Sequence, residues 1–300
     1  MLSVLGLTLV YAVCFVAIKE GLAFAPPLLF AGLRAIIAGA ALLALAAIQR
    51  KRIVPSRRDW GWVVALGSVS TTLSFGAMFL SPGRTGAGIA SVLGNTQPLD
   101  TVVLAALFLG ERMTPGKWAA LLLGLVGVGL VAYPALAGAD AYGLSGAVLA
   151  LVAAASAASG SVIVKRMRLL DTLLAITGWQ LILGSLPLLA ASAVVEGSTG
   201  VHWSLEFAAI LLFLALIGTS LATAGWYWLV QREDVGRITM FLYLVPILGL
   251  GIAALAFGEG VEPLEGIGVL VTLGGIGAVA IESHNILTVP SQRLHNRQLP

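Results

Sequence analysis

The chain has 300 residues, of which 59% are apolar and only 10% charged, with a formal net charge of +3 and a mean hydropathy of +1.00. Soluble domains carry about 25% charged residues, so this composition excludes a soluble enzyme, and basic residues scattered between apolar runs exclude a nucleic-acid patch. The one cysteine, Cys14, excludes a disulfide framework within the chain.

Ten apolar segments follow in chain order, at 3–20, 28–48, 60–80, 86–109, 115–133, 144–166, 173–195, 206–231, 235–257 and 263–281. Each approaches the ~20 residues that cross a ~30 Å hydrocarbon core as a helix. None alternates in the way a membrane-barrel strand does. The expected fold is an all-α integral membrane protein of ten transmembrane helices. The first segment reads as a spanning helix rather than a signal peptide, because no Lys or Arg precedes it and a matching segment recurs around 157–165.

Polar residues inside such helices are costly unless they face protein or a water-filled cavity, so they mark candidate positions on a pathway. The first segment offers Tyr11 and Phe15. The second holds Arg34, ~9 Å deep from its outer end at 1.5 Å per residue. The third carries Ser70, Thr71 and Ser74. The fourth carries Asn95, Thr96 and Gln97 before Pro98, and Asp100 ~14 Å from its inner end. The sixth adds Ser156 and Ser159, the eighth Thr219 and Thr223, the ninth Tyr243 before Pro246.

Each of these has two readings. Tyr11, Phe15, Ser70, Ser74, Asn95, Gln97, Ser156, Ser159, Thr223 and Tyr243 are candidates for binding substrate, yet Ser and Thr often bond their own helix backbone. Pro98 and Pro246 kink their helices. Asp100 is either a proton-linked coupling group or one half of a structural ion pair with Arg34, which could also snorkel outward. Trp179, Trp226, Tyr227 and Trp228 form either an aromatic cage or interfacial anchors, while Trp60, Trp62 and Trp118 read as anchors beside inner loops. The glycines of the fifth and tenth segments (Gly124, Gly127, Gly129; Gly268, Gly274, Gly275, Gly277) allow close backbone approach, within the bundle or across a dimer face.

With the N-terminus cytoplasmic, the inner loops collect 14 of the 17 Lys and Arg residues, as the positive-inside rule requires. The chain is also duplicated. Pro98, Gly110, Glu111, Pro115, Gly127 and Gly129 recur, 148 positions on, as Pro246, Gly258, Glu259, Pro263, Gly275 and Gly277, and Val16 and Lys19 recur as Val162 and Lys165 at an offset of 146. Five helices per copy make the second copy cross the membrane inverted, a design of secondary transporters with the substrate between the halves. The expected units are 1–134, 135–282 and a polar cytoplasmic tail, 283–300.

These residues resemble the drug/metabolite transporter superfamily, in particular its ten-helix EamA-like members. The resemblance rests on Phe-Val-Ala-Ile-Lys (15–19), Arg34, Asn-Thr-Gln-Pro-Leu (95–99) and the paired Gly-Glu-x-x-x-Pro stretches at 110–115 and 258–263. It implies export of small metabolites across a bacterial inner membrane without ATP, by a branch whose substrates include aromatic amino acids. Many relatives carry a Trp where this chain has Tyr11, so substrate identity is not carried over. The partners expected are a small-molecule substrate and the lipid bilayer, with no nucleic acid, cofactor or metal and the oligomeric state open.

Another small metabolite or drug is the alternative substrate. A passive channel is the alternative mechanism, although the polar residues concentrate near the middle rather than along a pore. No Gly-x-x-x-x-Gly-Lys-[Ser/Thr] loop for an ATP-driven pump is present. His202, His284 and His295 lie outside the apolar segments, so no intramembrane catalytic cluster is expected.

Overall fold

The computed structural model describes residues 2–81, 84, 93–94, 96–137, 143–167, 172–197, 200–245, 247–248, 252, 263–264 and 266–275. Among these the chain is helical and holds no strand. The helices are α1 (Leu2–Gly21), α2 (Pro27–Ile48), α3 (Trp60–Leu80), α4 (Gln97–Leu109), α5 (Pro115–Ala137), α6 (Gly143–Met167), α7 (Leu173–Val195), α8 (Leu205–Arg232), α9 (Val235–Thr239) and α10 (Gly266–Gly275). Five of them, α2, α3, α6 (from Leu144), α7 and α8, are long and apolar enough to cross a bilayer. Asn95, Pro246, the glutamate of the second Gly-Glu stretch and the 283–300 tail lie outside the described residues, as does the side chain of Phe15.

α2 and α7 form the central crossing. Pro27 opens α2, where its missing N–H costs nothing, and Glu196 at the end of α7 accepts the amides of Leu28 (2.7 Å) and Leu29 (3.1 Å). The two backbones meet at Gly39 and Gly178. A Cβ on Gly39 would stand 2.6 Å from the Gly178 carbonyl oxygen and 2.7 Å from Ile182 Cγ1. Small residues of this kind let spanning helices approach closely, which is where membrane bundles gain their dispersion energy.

α3 and α8 each contain one π-helical stretch, Gly67–Leu73 and Leu216–Leu221. Such stretches shift the local hydrogen-bond ladder and concentrate at functional sites. From the first, Thr71 donates to Gln180 Oε1 (2.8 Å) and Thr72 to the Gly184 carbonyl (2.8 Å). At the second, Thr219 accepts from Arg34 Nε (2.5 Å) and Ser220 donates to the Ala38 carbonyl (2.9 Å). Thr219 and Ser220 follow Thr71 and Thr72 by 148 positions; Gln180 and Gly184 follow Arg34 and Ala38 by 146. One arrangement of four residues is thus built twice, each time joining the two halves of the chain.

Apolar packing fills both ends. At one end Phe30 meets Phe79 edge-on at 5.6 Å and Phe207 at 5.4 Å. At the other end Val63, Leu66, Val102, Ile176, Trp226 and Ile238 share one buried cluster. The Gly-rich helices pack within the bundle: a Cβ on Gly127 would lie 2.5 Å from the Gly268 carbonyl and 2.7 Å from Thr272 N. Gly127→Val should therefore cost ~1–3 kcal/mol or more by overpacking, read as a lower melting temperature in detergent. An unchanged melting temperature would mean that α5 and α10 do not touch there.

Candidate functional site

At the C-terminal end of α4 the Gly-Glu-x-x-x-Pro stretch takes apart into physical roles. Gly110 closes α4 in the left-handed region (φ 70°), which glycine enters without a Cβ penalty. The turn carries Glu111 away from α4. Thr114 Oγ1 accepts the Lys117 amide (3.3 Å), and Pro115 starts α5.

Glu111 reaches across to the other half of the chain. Its two oxygens accept the amides of Val235 (2.7 Å) and Gly236 (3.0 Å), the first residues of α9. A carboxylate is favoured there because the first amides of a helix have no intrahelical acceptor. Lys117 Nζ lies 3.3 Å from Glu111 Oε2 and 2.7 Å from Asp234 Oδ1, and Asp234 caps α9 by accepting the Arg237 amide (2.9 Å). The Lys117 and Glu111 side chains are only 6% and 13% exposed, so truncating one partner would strand the others in a poorly solvated place. Around this clasp, Lys165 donates to the Glu233 carbonyl (2.6 Å) and Arg237 pairs with Glu233.

Burial, and then the neighbouring Asp234 carboxylate, push Glu111 above its ordinary 4.5. Burial acts the same way on Asp234, but hydrogen bonds from Glu111 and Lys117 outweigh it and hold Asp234 below its ordinary 3.8. The signs follow from proton counts. Above 4.5 the clasp still holds a proton that an unfolded Glu111 has released, so Glu111's contribution falls as pH rises through that window. Asp234's contribution is present above 3.8 and disappears as pH falls below it. The melting temperature followed over roughly pH 4–8 should decline with rising pH above the Glu reference value in the native protein and lose that slope in Glu111→Gln. An identical slope in both would remove Glu111 as its source.

A second polar cluster lies deep in the bundle. Arg34, 4% exposed, donates from Nε to Thr219 and from Nη2 to the Gly218 carbonyl (3.2 Å), and its guanidinium lies 5.2 Å from the Phe75 ring centre and 6.0 Å from that of Phe79. Tyr11 lies beside it, with Cys14 and Tyr227 as its other electrostatic neighbours. Ser70 stands against Gly160 of α6 and bonds Tyr227. Helices α1, α2, α3 and α8 therefore bring Tyr11, Arg34, Ser70, Thr219 and Tyr227 into one neighbourhood.

The other expected site residues scatter. Ser74 donates to the Ala153 carbonyl (3.2 Å) and Ser159 to the Ala155 carbonyl (2.8 Å). These are helix-packing and back-bonding roles. Ser156 is buried, whereas Gln97 and Thr223 are half-buried. Tyr243 does not face open space: it is fully buried against Gly124, and its hydroxyl has no partner among the described residues. Trp226 is no interfacial anchor either, since it is buried and donates to Ser161 Oγ (3.1 Å).

The pairing of Arg34 with Asp100 is not formed. None of the ion pairs among the described residues joins them. Asp100 turns instead toward Thr96 on its own helix and Tyr243. Depth along two helices brought the residues level, but rotation about the helix axes points Arg34 at α8. A double-mutant cycle of Asp100→Asn with Arg34→Gln should give stability effects additive within about 0.5 kcal/mol. A coupling above ~1 kcal/mol would restore the ion pair.

Comparison with known proteins gives a consistent picture. The profile of the EamA-like transporter family matches residues 1–133 and 144–281. An uncharacterized transporter of Synechocystis sp. is 30% identical over 90% of this chain and 88% of its own length. A probable amino-acid metabolite efflux pump of Salmonella typhimurium is 30% identical over 89% of this chain and 90% of its own. A crystal structure of a protein 20% identical to this chain superposes with a TM-score of 0.81, covering 95% of this chain and 97% of that one, which speaks to the fold alone.

Proposed function

The chain belongs to the EamA-like transporter family, and from that premise we propose a secondary transporter that works by alternating access and exports amino acids, aromatic ones among them, across an inner membrane. Its ten helices form two inverted five-helix repeats, 1–134 and 135–282. The observation that carries this reading is the four-residue arrangement built twice between α2, α3, α7 and α8. Two equivalent half-structures facing opposite ways can exchange conformations, and the exchange opens the centre to one side and then the other.

In this reading the Glu111 clasp is the cytoplasmic closure. It ties the start of α9, in the second repeat, to the α4–α5 turn of the first. Opening inward requires Glu111 to release two amides, and water re-solvates both partners. The cluster of Tyr11, Arg34, Ser70, Thr219 and Tyr227 is the solute's station in the middle.

The experiment is counterflow in proteoliposomes with a panel of radiolabelled amino acids. A carrier shows faster uptake when unlabelled solute waits on the far side, whereas a channel shows none of this acceleration. Flux without trans-stimulation, or no flux of any amino acid, would reject the reading. Orientation is tested separately. A reporter fused after Arg58 should read cytoplasmic and one near residue 139 periplasmic, since 14 of 17 basic residues fall on the proposed inner side. The opposite pair of results would invert the topology.

A further inference from the structure

We propose that Arg34 receives the carboxylate of the transported solute, through its terminal nitrogen Nη1; this rests on the carrier reading above. The guanidinium is 4% exposed, and Nε and Nη2 are committed to Thr219 and to the Gly218 carbonyl. Nη1 is buried and has no acceptor among the described residues. No carboxylate of the described residues pairs with Arg34. A buried guanidinium cannot shed its proton in a protein, and an uncompensated charge at that depth costs several kcal/mol. The faces of Phe75 and Phe79 offset part of this. They leave the in-plane N–H groups of Nη1 unanswered, and those groups have the geometry for a carboxylate oxygen.

The scaffold itself does not need the charge. The residue equivalent to Arg34 in the second half is Gln180, which pairs with Thr71 in the reverse sense: Thr71 donates to its amide oxygen, whereas Thr219 accepts from Arg34. The neutral amide does the helix-joining work there, buried to 1% exposure. What arginine adds over glutamine is one fixed positive charge and an extra fork of donors. The charge lies beside Tyr11. The ligand class that uses both is a small organic acid or an amino acid bound by its carboxylate. The Phe75 and Phe79 rings beside the fork would contact its apolar part.

The test compares acids with their amides. Purified full-length protein is titrated with phenylalanine, leucine and acetate, and in parallel with phenylalaninamide, leucinamide and acetamide, with the rise in melting temperature as the readout. At least one acid should act at a concentration tenfold or more below its amide. Arg34→Gln, which installs the residue the other half already uses, should keep the basal melting transition and lose that preference. Arg34→Lys should retain part of it. Equal potency of acids and amides on the native protein, no stabilisation by any acid, or a preference that survives in Arg34→Gln would overturn the assignment. If Arg34→Gln does not fold, the native acid–amide comparison and the Lys variant still decide. Counterflow of any amino acid by the native protein would leave the carrier reading standing even where the carboxylate subsite fails.

Discussion

Glu111→Gln is expected to open the clasp end of the protein, seen as faster maleimide labelling of a cysteine placed at Val102 in a Cys14→Ala background. Val102 is buried and lies directly behind the clasp, against Gly236. Glutamine keeps one carbonyl oxygen for one of the two α9 amides, but its NH2 group confronts the other. A charge-assisted hydrogen bond is replaced by two opposed donors. Hydrogen bonds to charged groups contribute ~1.5–3 kcal/mol, so the open population should rise by roughly tenfold to a hundredfold. Asp234→Asn should do less, because Lys117 retains Glu111 and the α9 amides keep their acceptor. Equal labelling rates in the native and Gln proteins would mean that Glu111 does not hold this end shut.

Gly39→Leu is expected to abolish the folded state. The new Cβ alone would stand 2.6 Å from the Gly178 carbonyl oxygen and 3.1 Å from the backbone N of Ile182. Neither atom can swing aside as a side-chain tip could, so α2 and α7 must separate. Overpacking in a well-filled core costs ~1–3 kcal/mol. Here the clash is with backbone atoms on both counts, so a loss at the top of that range, ~3 kcal/mol or more, is expected, measured as failure to elute as one monodisperse peak. Gly61→Leu is the control, because a Cβ there meets nothing within 4 Å. Normal behaviour of Gly39→Leu would contradict the tight α2–α7 crossing.

The duplication was readable because proline and glycine announce themselves in a sequence. Gly110, Glu111 and Pro115 kept their spacing, and the structure gives each a role: helix stop, clasp and helix start. The partners of Glu111 were not readable, since Val235 and Gly236 contribute only backbone amides and lie 124 and 125 positions away. Depth along a helix follows from counting, and Arg34 lies buried within the bundle. Rotation about the axis does not, so Asp100 was offered as its partner where Thr219 is. Tyr243 looked like a ligand contact because aromatic hydroxyls often are, yet Gly124 opens a slot that buries it fully. The π stretches of α3 and α8 leave no mark on composition at all.

Solute is expected to cross only while the Glu111 clasp lets go. The direct measurement is amino-acid exchange in proteoliposomes by a Cys14→Ala protein carrying Glu111→Cys and Asp234→Cys, before and after linking the two thiols with a short, cleavable bis-maleimide. Lys117 now bridges these positions at 3.3 Å and 2.7 Å, so the linker joins groups that already meet. Exchange should stop on linking and return when the linker is cut. Undiminished exchange with the cytoplasmic end locked shut would contradict the account.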